Sequence, residues 1–541
     1  MEFDVVIAGG GFAGAYCGRI LGREFGREAG EKRVALVAER NVLVFQPMLA
    51  EVAGSSLAPA DVVNPLRQFC KGVNVLQGTI QKIDWASKSL ILDGGRFTRD
   101  HKIGFKHLVL ALGSVTDLSA VPGMTEYGWP MKNVSDALRL RAALINRLEE
   151  ANLVEDADTR RRLLTFVVVG GGYTGVETAG QVLDFLRQVY KYYANLRESK
   201  PRVVLIHSRE ELLGEIGPAL GAYARGVLEK RGVEVLLNTR VSAVTARQVI
   251  LDNGSAIETN TVVTSVGNAA NPVIIDLCKQ LGIEAPKGRV PTDPMMRVAG
   301  LDTLWAAGDG AAVPWVDKGV TKVSPMTAQF AFRQGTLVGK NVFAAMRGAE
   351  LLPFKYRYMG QLATIGERAA VAEIFGMHFK GFVAWWMWRT IYLAKLPGVV
   401  RKLRVMIDWT FDLIFPRDIS QIMPPPDDAV RAIHLEKGET LFLAGTTARG
   451  FFYIRTGSLT LAVKGLPERS IGAGSVIDQS ELDSSNLWES TGTANEPSDL
   501  VVFRGRLLEY LRKDLLLSKR MVVSAVPTTR PNAAEGRLVG T

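Results

Sequence analysis

The chain has 541 residues, 47% hydrophobic and 22% charged, and its 65 Lys and Arg outnumber 55 Asp and Glu for a formal net charge of +10. That length exceeds one hydrophobic core, so about two to four globular domains are expected and a disordered chain is excluded. With no zinc spacing, nucleic-acid-binding signature or long basic run, the charge points away from nucleic acid and toward an anionic membrane surface.

The opening Met1-Glu2-Phe3-Asp4 has neither basic n-region nor cleavage site, so no signal peptide is expected. The apolar run Val5-Val6-Ile7-Ala8 ends in glycines, a small-residue helix follows, and Val34-Ala35-Leu36-Val37 returns as a strand, which makes a βαβ unit. Gly9-x-Gly11-x-x-Gly14 opens the helix and Glu39 ends the second strand, the context a dinucleotide motif requires. The first glycine permits the turn, the second lets backbone approach a pyrophosphate, and the third lets helix and strand pack closely. The helix N-terminus attracts the anion, and Glu39 accepts the ribose hydroxyls. This unit is assigned to FAD. His107 to Gly113 reads as a further strand ending in glycine.

The pattern recurs from Phe166-Val167-Val168-Val169 into Gly170-x-Gly172-x-x-Gly175, a helix carrying Glu177, and a strand from Val203 to Ile206. Val262 to Gly267 mirrors the strand ending at Gly113. This second unit is assigned to the nicotinamide nucleotide, NADH or NADPH. Its strand ends Ile206-His207-Ser208-Arg209, without the carboxylate that would bind a ribose. Two readings of Arg209 stay open, acceptance of a 2′-phosphate and a solvated surface arginine. Cys17, Cys70 and Cys278 form no CxxC and the five histidines no HxxxH or HExxH, so neither a disulfide framework nor a protein-bound metal is expected.

A third element is Leu304-Trp305-Ala306-Ala307-Gly308-Asp309-Gly310-Ala311, which resembles the segment by which two-dinucleotide flavoproteins return to FAD, its aspartate contacting the ribityl–phosphate region. Within that superfamily, residues 41–54 (NVLVFQPMLAEVAG), Gly170 to Glu177, 325–335 (PMTAQFAFRQG) and 360–366 (GQLATIG) resemble the type II NADH dehydrogenases, and the likeness covers residues 3–422. It implies that Gln329 helps to place a quinone beside the flavin and that Glu177 lies near the isoalloxazine and the site of proton transfer. The family usually has glutamine where this chain has Arg333, which puts the shape and charge of the quinone site in question. The activity implied is NAD(P)H:quinone oxidoreduction without proton pumping, by a peripheral protein on the cytoplasmic face of the cell membrane; a homodimer is left open. Two rivals are a sulfide:quinone oxidoreductase, which would need cysteines at the flavin, and a flavin-bearing redox sensor.

From Phe379 to Leu396 charged residues interrupt the apolar run, so a surface-lying helix is expected rather than a spanning one, with Trp385, Trp386 and Trp388 at the lipid boundary and Arg401, Lys402 and Arg404 near headgroups. A helix packed on the core is the alternative. After Pro424-Pro425-Pro426, short alternating strands around Gly438, Gly445 and Gly457 resemble a cyclic-nucleotide-binding domain. The stretch Ile477 to Leu482 lacks that family's phosphate cassette and Glu489 stands near its arginine, so cyclic nucleotide is not expected. The expected fold is α/β, with an FAD-binding domain in two parts (1–155 and 276–345), an NAD(P)H-binding domain (156–275), a quinone and membrane-associating region (346–425), a small β-barrel (426–515) and a tail (516–541), disordered at its end.

Overall fold

Strand β1 (Glu2–Ala8) is buried from Val5 onward, as a strand covered on both faces must be. Gly9 turns the chain into helix α1 (Phe12–Phe25), and β2 (Val34–Ala38) returns parallel to β1, Val5 opposite Val34. Helix α2 (Leu49–Ala53) is followed by β3 (Asn74–Gln77), the antiparallel pair β4 (Thr79–Asp84) and β5 (Ser89–Asp93), and β6 (His101–Leu110). They form one sheet in the order β3-β2-β1-β6-β5-β4. This computed structural model describes residues 1–95, 98, 100–298, 300–317, 319–420, 430–445, 450–463, 465–477 and 488–504.

The same build repeats from β7 (Thr165–Val169) through α3 (Tyr173–Val189) to β8 (Arg202–Ile206), joined by β9 (Val233–Leu236) and β10 (Thr261–Thr264). With Gly128–Pro130 at one edge, the order is β10-β7-β8-β9, each of these pairs parallel. Antiparallel pairing of Ser114–Thr116 with Asn268–Ala270 joins the segments that leave the two sheets. Strand β11 (Leu304–Ala306) then pairs with β6, so the chain returns to its first sheet after completing the second. Helix α4 (Ala328–Ala345) lies on α1 at Gly335, where a Cβ would come 2.1 Å from the Ala13 carbonyl oxygen.

An antiparallel meander, β12 (Gly360–Gly366), β13 (Ala369–Ile374) and β14 (Met377–Lys380), leads into helices α5 (Gly381–Lys395) and α6 (Val399–Ile414). Gly180 of α3 lets β12 close on it, since a Cβ there would meet the Ile365 carbonyl oxygen at 2.4 Å. One continuous apolar core runs through both sheets and this meander.

Contacts divide the chain into two compact units, the first comprising Met1–Ala120, Trp129–Arg240 and Thr261–Ser420. The second takes Val121–Gly128, Val241–Asn260 and Gln421–Thr541, so the 241–260 hairpins, which the sequence reading placed in the nucleotide domain, cluster with the C-terminal part. Its described strands are β15 (Val430–Leu435), β16 (Thr440–Phe442), β17 (Gly450–Thr456), β18 (Ser458–Ala462), β19 (Arg469–Gly472), β20 (Val476–Ile477), β21 (Thr491–Ala494) and β22 (Ser498–Arg504). They make two four-stranded antiparallel sheets, β15-β22-β17-β20 and β16-β21-β18-β19. Phe442, Phe452, Ile454 and Trp488 help to fill the core of this unit. The proline break, most of the expected phosphate-cassette stretch and the tail lie outside the described residues.

Candidate functional site

At the first glycine turn, Gly9 has φ +116° and a Cβ on it would lie 2.2 Å from the Ala111 carbonyl oxygen; one on Gly14 would lie 1.8 Å from the Gly9 carbonyl oxygen. A Cβ on Gly11 meets nothing within 4 Å. Outer glycines held by backbone and a middle glycine facing open space at a helix N-terminus leave the clearance that a pyrophosphate needs. The turn of Gly308, Asp309 and Gly310 is held beside α1, with Gly308 near Ala13 and its N–H donating to the buried Gln334 Oε1 at 2.8 Å. Gly113, at φ +66°, abuts Gly310. Burial raises the Asp309 carboxyl above its ordinary range, against the pull of Lys132 and Arg289. Glu39 is exposed just past β2. These residues fit FAD.

The second turn has the same build. Gly170 has φ +110°, a Cβ on Gly175 would lie 1.7 Å from the Gly170 carbonyl oxygen, and one on Gly172 faces open space. Gly267 closes this region against the Asp117 carbonyl. His207 lies against Gly171, whose N–H donates to His207 Nδ1 at 3.1 Å.

Glu177, one turn into α3, is buried with its Oε1 accepting the Thr364 N–H of β12 at 3.2 Å. Burial pushes its carboxyl from 4.5 up to about 8; the Thr364 bond opposes the shift and the charge of Glu51 adds to it. Glu51 of α2 is itself buried, pushed up to about 7 by burial, and takes a bond from Trp409 Nε1 at 3.3 Å. It lines a cavity of about 560 Å3 together with Thr364, Trp385, Arg389, Asp412 and Arg417, whose rim includes the exposed Arg187 and Glu367. Two interacting carboxyls that titrate near neutrality, one of them facing a polar cavity, can hold and pass a proton. Sequence reading missed Glu51, although it stands inside the segment that carried the family resemblance.

On α4, Gln329 is engaged at both ends of its amide: Nε2 donates to the Gly360 carbonyl and Oε1 accepts from Tyr356 Oη, both at 2.9 Å. Arg333 donates to the Gln329 carbonyl and stacks over Tyr356 at 4.1 Å. The ring of Tyr356 neighbours that of Tyr358, with centroids 6.4 Å apart, and the pKa of Tyr392 is raised by burial and by Glu177. Burial and Arg333 bring Lys395 down to about 8.

The three tryptophans separate. Trp386 is 59% exposed and Trp385 half-buried, but Trp388 is 1% exposed, so its place at a lipid boundary is corrected: it packs against Tyr392 and Trp409. What the aromatic count concealed is α6, whose Val400, Leu403, Ile407, Phe411 and Ile414 are exposed at helical spacing along one stripe. Among the described residues no helix is long and apolar enough to cross a membrane, and no three His, Cys, Asp or Glu gather as a metal ligand set. Cys17 and Cys70 are buried together, and burial raises both thiols, Cys70 up to about 12. Burial raises the Cys278 thiol as well.

Two dinucleotide folds, with the first sheet completed after the second, define the pyridine nucleotide–disulphide oxidoreductase class, and a family model of that description matches residues 3–335. A second model, the NDH2 C-terminal domain, matches residues 358–418. Two type II NADH:quinone oxidoreductases of Mycobacterium tuberculosis are similar, one 30% identical over 425 residues (76% of this chain, 88% of that protein) and one 31% identical over 418 (75% and 86%). The chain belongs to the type II NADH:quinone oxidoreductase family. Its fold is shared with NDH2 of Plasmodium falciparum in complex with NADH, at TM-score 0.70 and 19% identity over 77% of this chain and all of that one. The sulfide:quinone oxidoreductase of Aquifex aeolicus is more distant, at TM-score 0.56 and 16% identity over 76% and 95%.

Proposed function

We propose that this chain transfers two electrons from NAD(P)H to a membrane quinone, with the balance NAD(P)H + H+ + quinone giving NAD(P)+ + quinol. The observation that carries the reading is Glu177, a carboxyl buried against β12 with its pKa raised to about 8 by that burial, on the helix that begins at the second glycine turn. FAD, held at Gly9, Gly11, Gly14, Glu39, Gly113 and Asp309, supplies two-electron chemistry between donor and acceptor. The protein's own part is to position and protonate. Gly170, Gly172, Gly175 and Gly267 take the nicotinamide nucleotide, Gln329 and Arg333 orient the quinone, and Glu177 holds the proton that the reduced quinone takes. Glu51 reloads Glu177 from the cavity. In domain terms, the parts of 1–155 and 276–345 within the first unit serve FAD, those of 156–275 within it the nucleotide, and 346–420 the quinone and membrane.

Access to a lipid-dissolved quinone is supported by the exposed apolar stripe of α6 and by the exposed Phe382 and Trp386 of α5, side chains of the kind that lie in a membrane interface. Lys402 and Arg404 add headgroup attraction, and the cytoplasmic face of the cell membrane is the expected seat. The test is Glu177→Gln, which keeps shape and loses the titrating group. Quinone reduction by the reduced flavoprotein slows by about 100-fold or more, in the range of general acid catalysis, while flavin reduction by NADH changes far less. Equal slowing of both half-reactions would remove Glu177 from the acceptor side.

A further inference from the structure

The strand end of the second nucleotide site carries basic groups where a ribose-binding acid was missing. His207 is fixed by three bonds: its N–H donates to the Leu236 carbonyl at 2.8 Å, its carbonyl accepts the Thr239 N–H at 3.0 Å, and its Nδ1 accepts the Gly171 N–H at 3.1 Å. An Nδ1 that accepts leaves any ring proton on Nε2, and burial and Arg209 lower the ring's pKa against the Glu211 backbone. The Arg209 carbonyl in turn accepts the Asn238 N–H at 3.1 Å, so 207–209 runs beside 236–239 beyond the paired strands β8 and β9. Arg209 and Arg240 thus stand at the ends of two adjoining, pinned segments. Both are exposed, and neither has an ion-pair partner among the described residues, although Glu210 and Glu211 follow on the same loop. In this class of fold the first strand end after the glycine turn meets the adenosine ribose, where a carboxylate repels a 2′-phosphate and arginine accepts one.

We infer that this site accepts NADPH as donor, its 2′-phosphate held by Ser208, Arg209 and Arg240 in place of a carboxylate on the ribose hydroxyls. The inference rests on the assignment of the second glycine turn to the nicotinamide nucleotide. Equilibrium binding of NADP+ and NAD+ to the oxidised, FAD-loaded full chain tests it without turnover. NADP+ binds at least as tightly as NAD+, and its affinity falls more steeply with salt, because a phosphate pairs with exposed cations. Replacing both arginines (Arg209→Ala with Arg240→Ala) lowers NADP+ affinity about tenfold or more relative to NAD+, as loss of charge-assisted pairs requires. His207→Glu, a second route independent of the arginines, moves the ratio toward NAD+. An unaltered protein that binds NADP+ far more weakly than NAD+, or an arginine variant that weakens both alike, overturns the inference. If NADH reduces the flavin and NADPH does not, the donor specificity alone falls; if neither binds, the nucleotide assignment falls with it.

Discussion

At both glycine turns a Cβ on the third glycine would lie under 2 Å from the carbonyl oxygen of the first, 1.8 Å at Gly14 and 1.7 Å at Gly175, while Gly11 and Gly172 face open space. The backbone answer to a pyrophosphate is the same twice. The side chains diverge immediately: β2 is followed by Glu39 and β8 by His207, and five residues past the middle glycine the first helix carries Tyr16 and the second Glu177. Tyr16 packs between Phe69 and Phe332, whereas Glu177 is a buried acid with a raised pKa. On the proposed assignment, the first turn would hold FAD and the second the nicotinamide nucleotide, beside a buried acid that the first lacks.

The largest effects separate the copies. Gly11→Val leaves the chain folded and lowers bound FAD by about tenfold or more, since only open space is filled and that space is the pyrophosphate's. Gly172→Val stays yellow and slows flavin reduction by NADH by about 100-fold by the same clash. Absorbance of the purified variants and anaerobic mixing read both; loss of FAD from Gly172→Val would show that the two turns are not independent.

Next comes pH. Glu177 delivers a proton only while protonated, so quinone reduction falls as pH rises through about 8, and Glu177→Gln, slow throughout, loses that inflection. The same group shapes stability. Below 4.5 the folded and unfolded chains both hold the proton; between 4.5 and about 8 only the folded chain does, so stability falls across that window as pH rises. Glu177→Gln flattens this fall, and its melting temperature at pH 8 exceeds the parent's. A parent melting temperature that climbed from pH 5 to 8 while the variant's did not would contradict the buried acid.

A smaller effect on activity separates Trp386 from Trp388. Trp388→Ser costs about 3–5 kcal/mol of stability, as loss of a buried aromatic does, whereas Trp386→Ser together with Ile407→Ser and Phe411→Ser leaves the melting temperature nearly unchanged and releases the protein from anionic vesicles. Sedimentation with vesicles and thermal melts decide it, and a stable triple variant that still sedimented fully would place the anchor elsewhere.

Much of this was legible in sequence because glycine at a forced φ or a close approach has no substitute. Gly9, Gly170 and the Gly308 to Gly310 turn therefore announced both folds and the return to the first sheet. Glu177 and Gln329 came through resemblance, not through spacing. Glu51 stayed hidden because its raised pKa arises from burial and the Asp412 charge, opposed by Arg389, the Trp409 bond and Arg417, all supplied by helices and loops hundreds of residues away, and no local pattern encodes that environment. Trp388 was misplaced for the converse reason: in a run of aromatics, composition does not tell which ring faces inward, and only the packing of α5 against Trp409 decides.

The most direct test is a two-stage anaerobic experiment on the FAD-loaded full chain, reduction by NADH or NADPH followed by mixing with a soluble quinone. The account predicts rapid bleaching by nucleotide and rapid recovery of the oxidised flavin spectrum on adding quinone. Bleaching by neither nucleotide, or a reduced flavin that quinone leaves reduced, would contradict it.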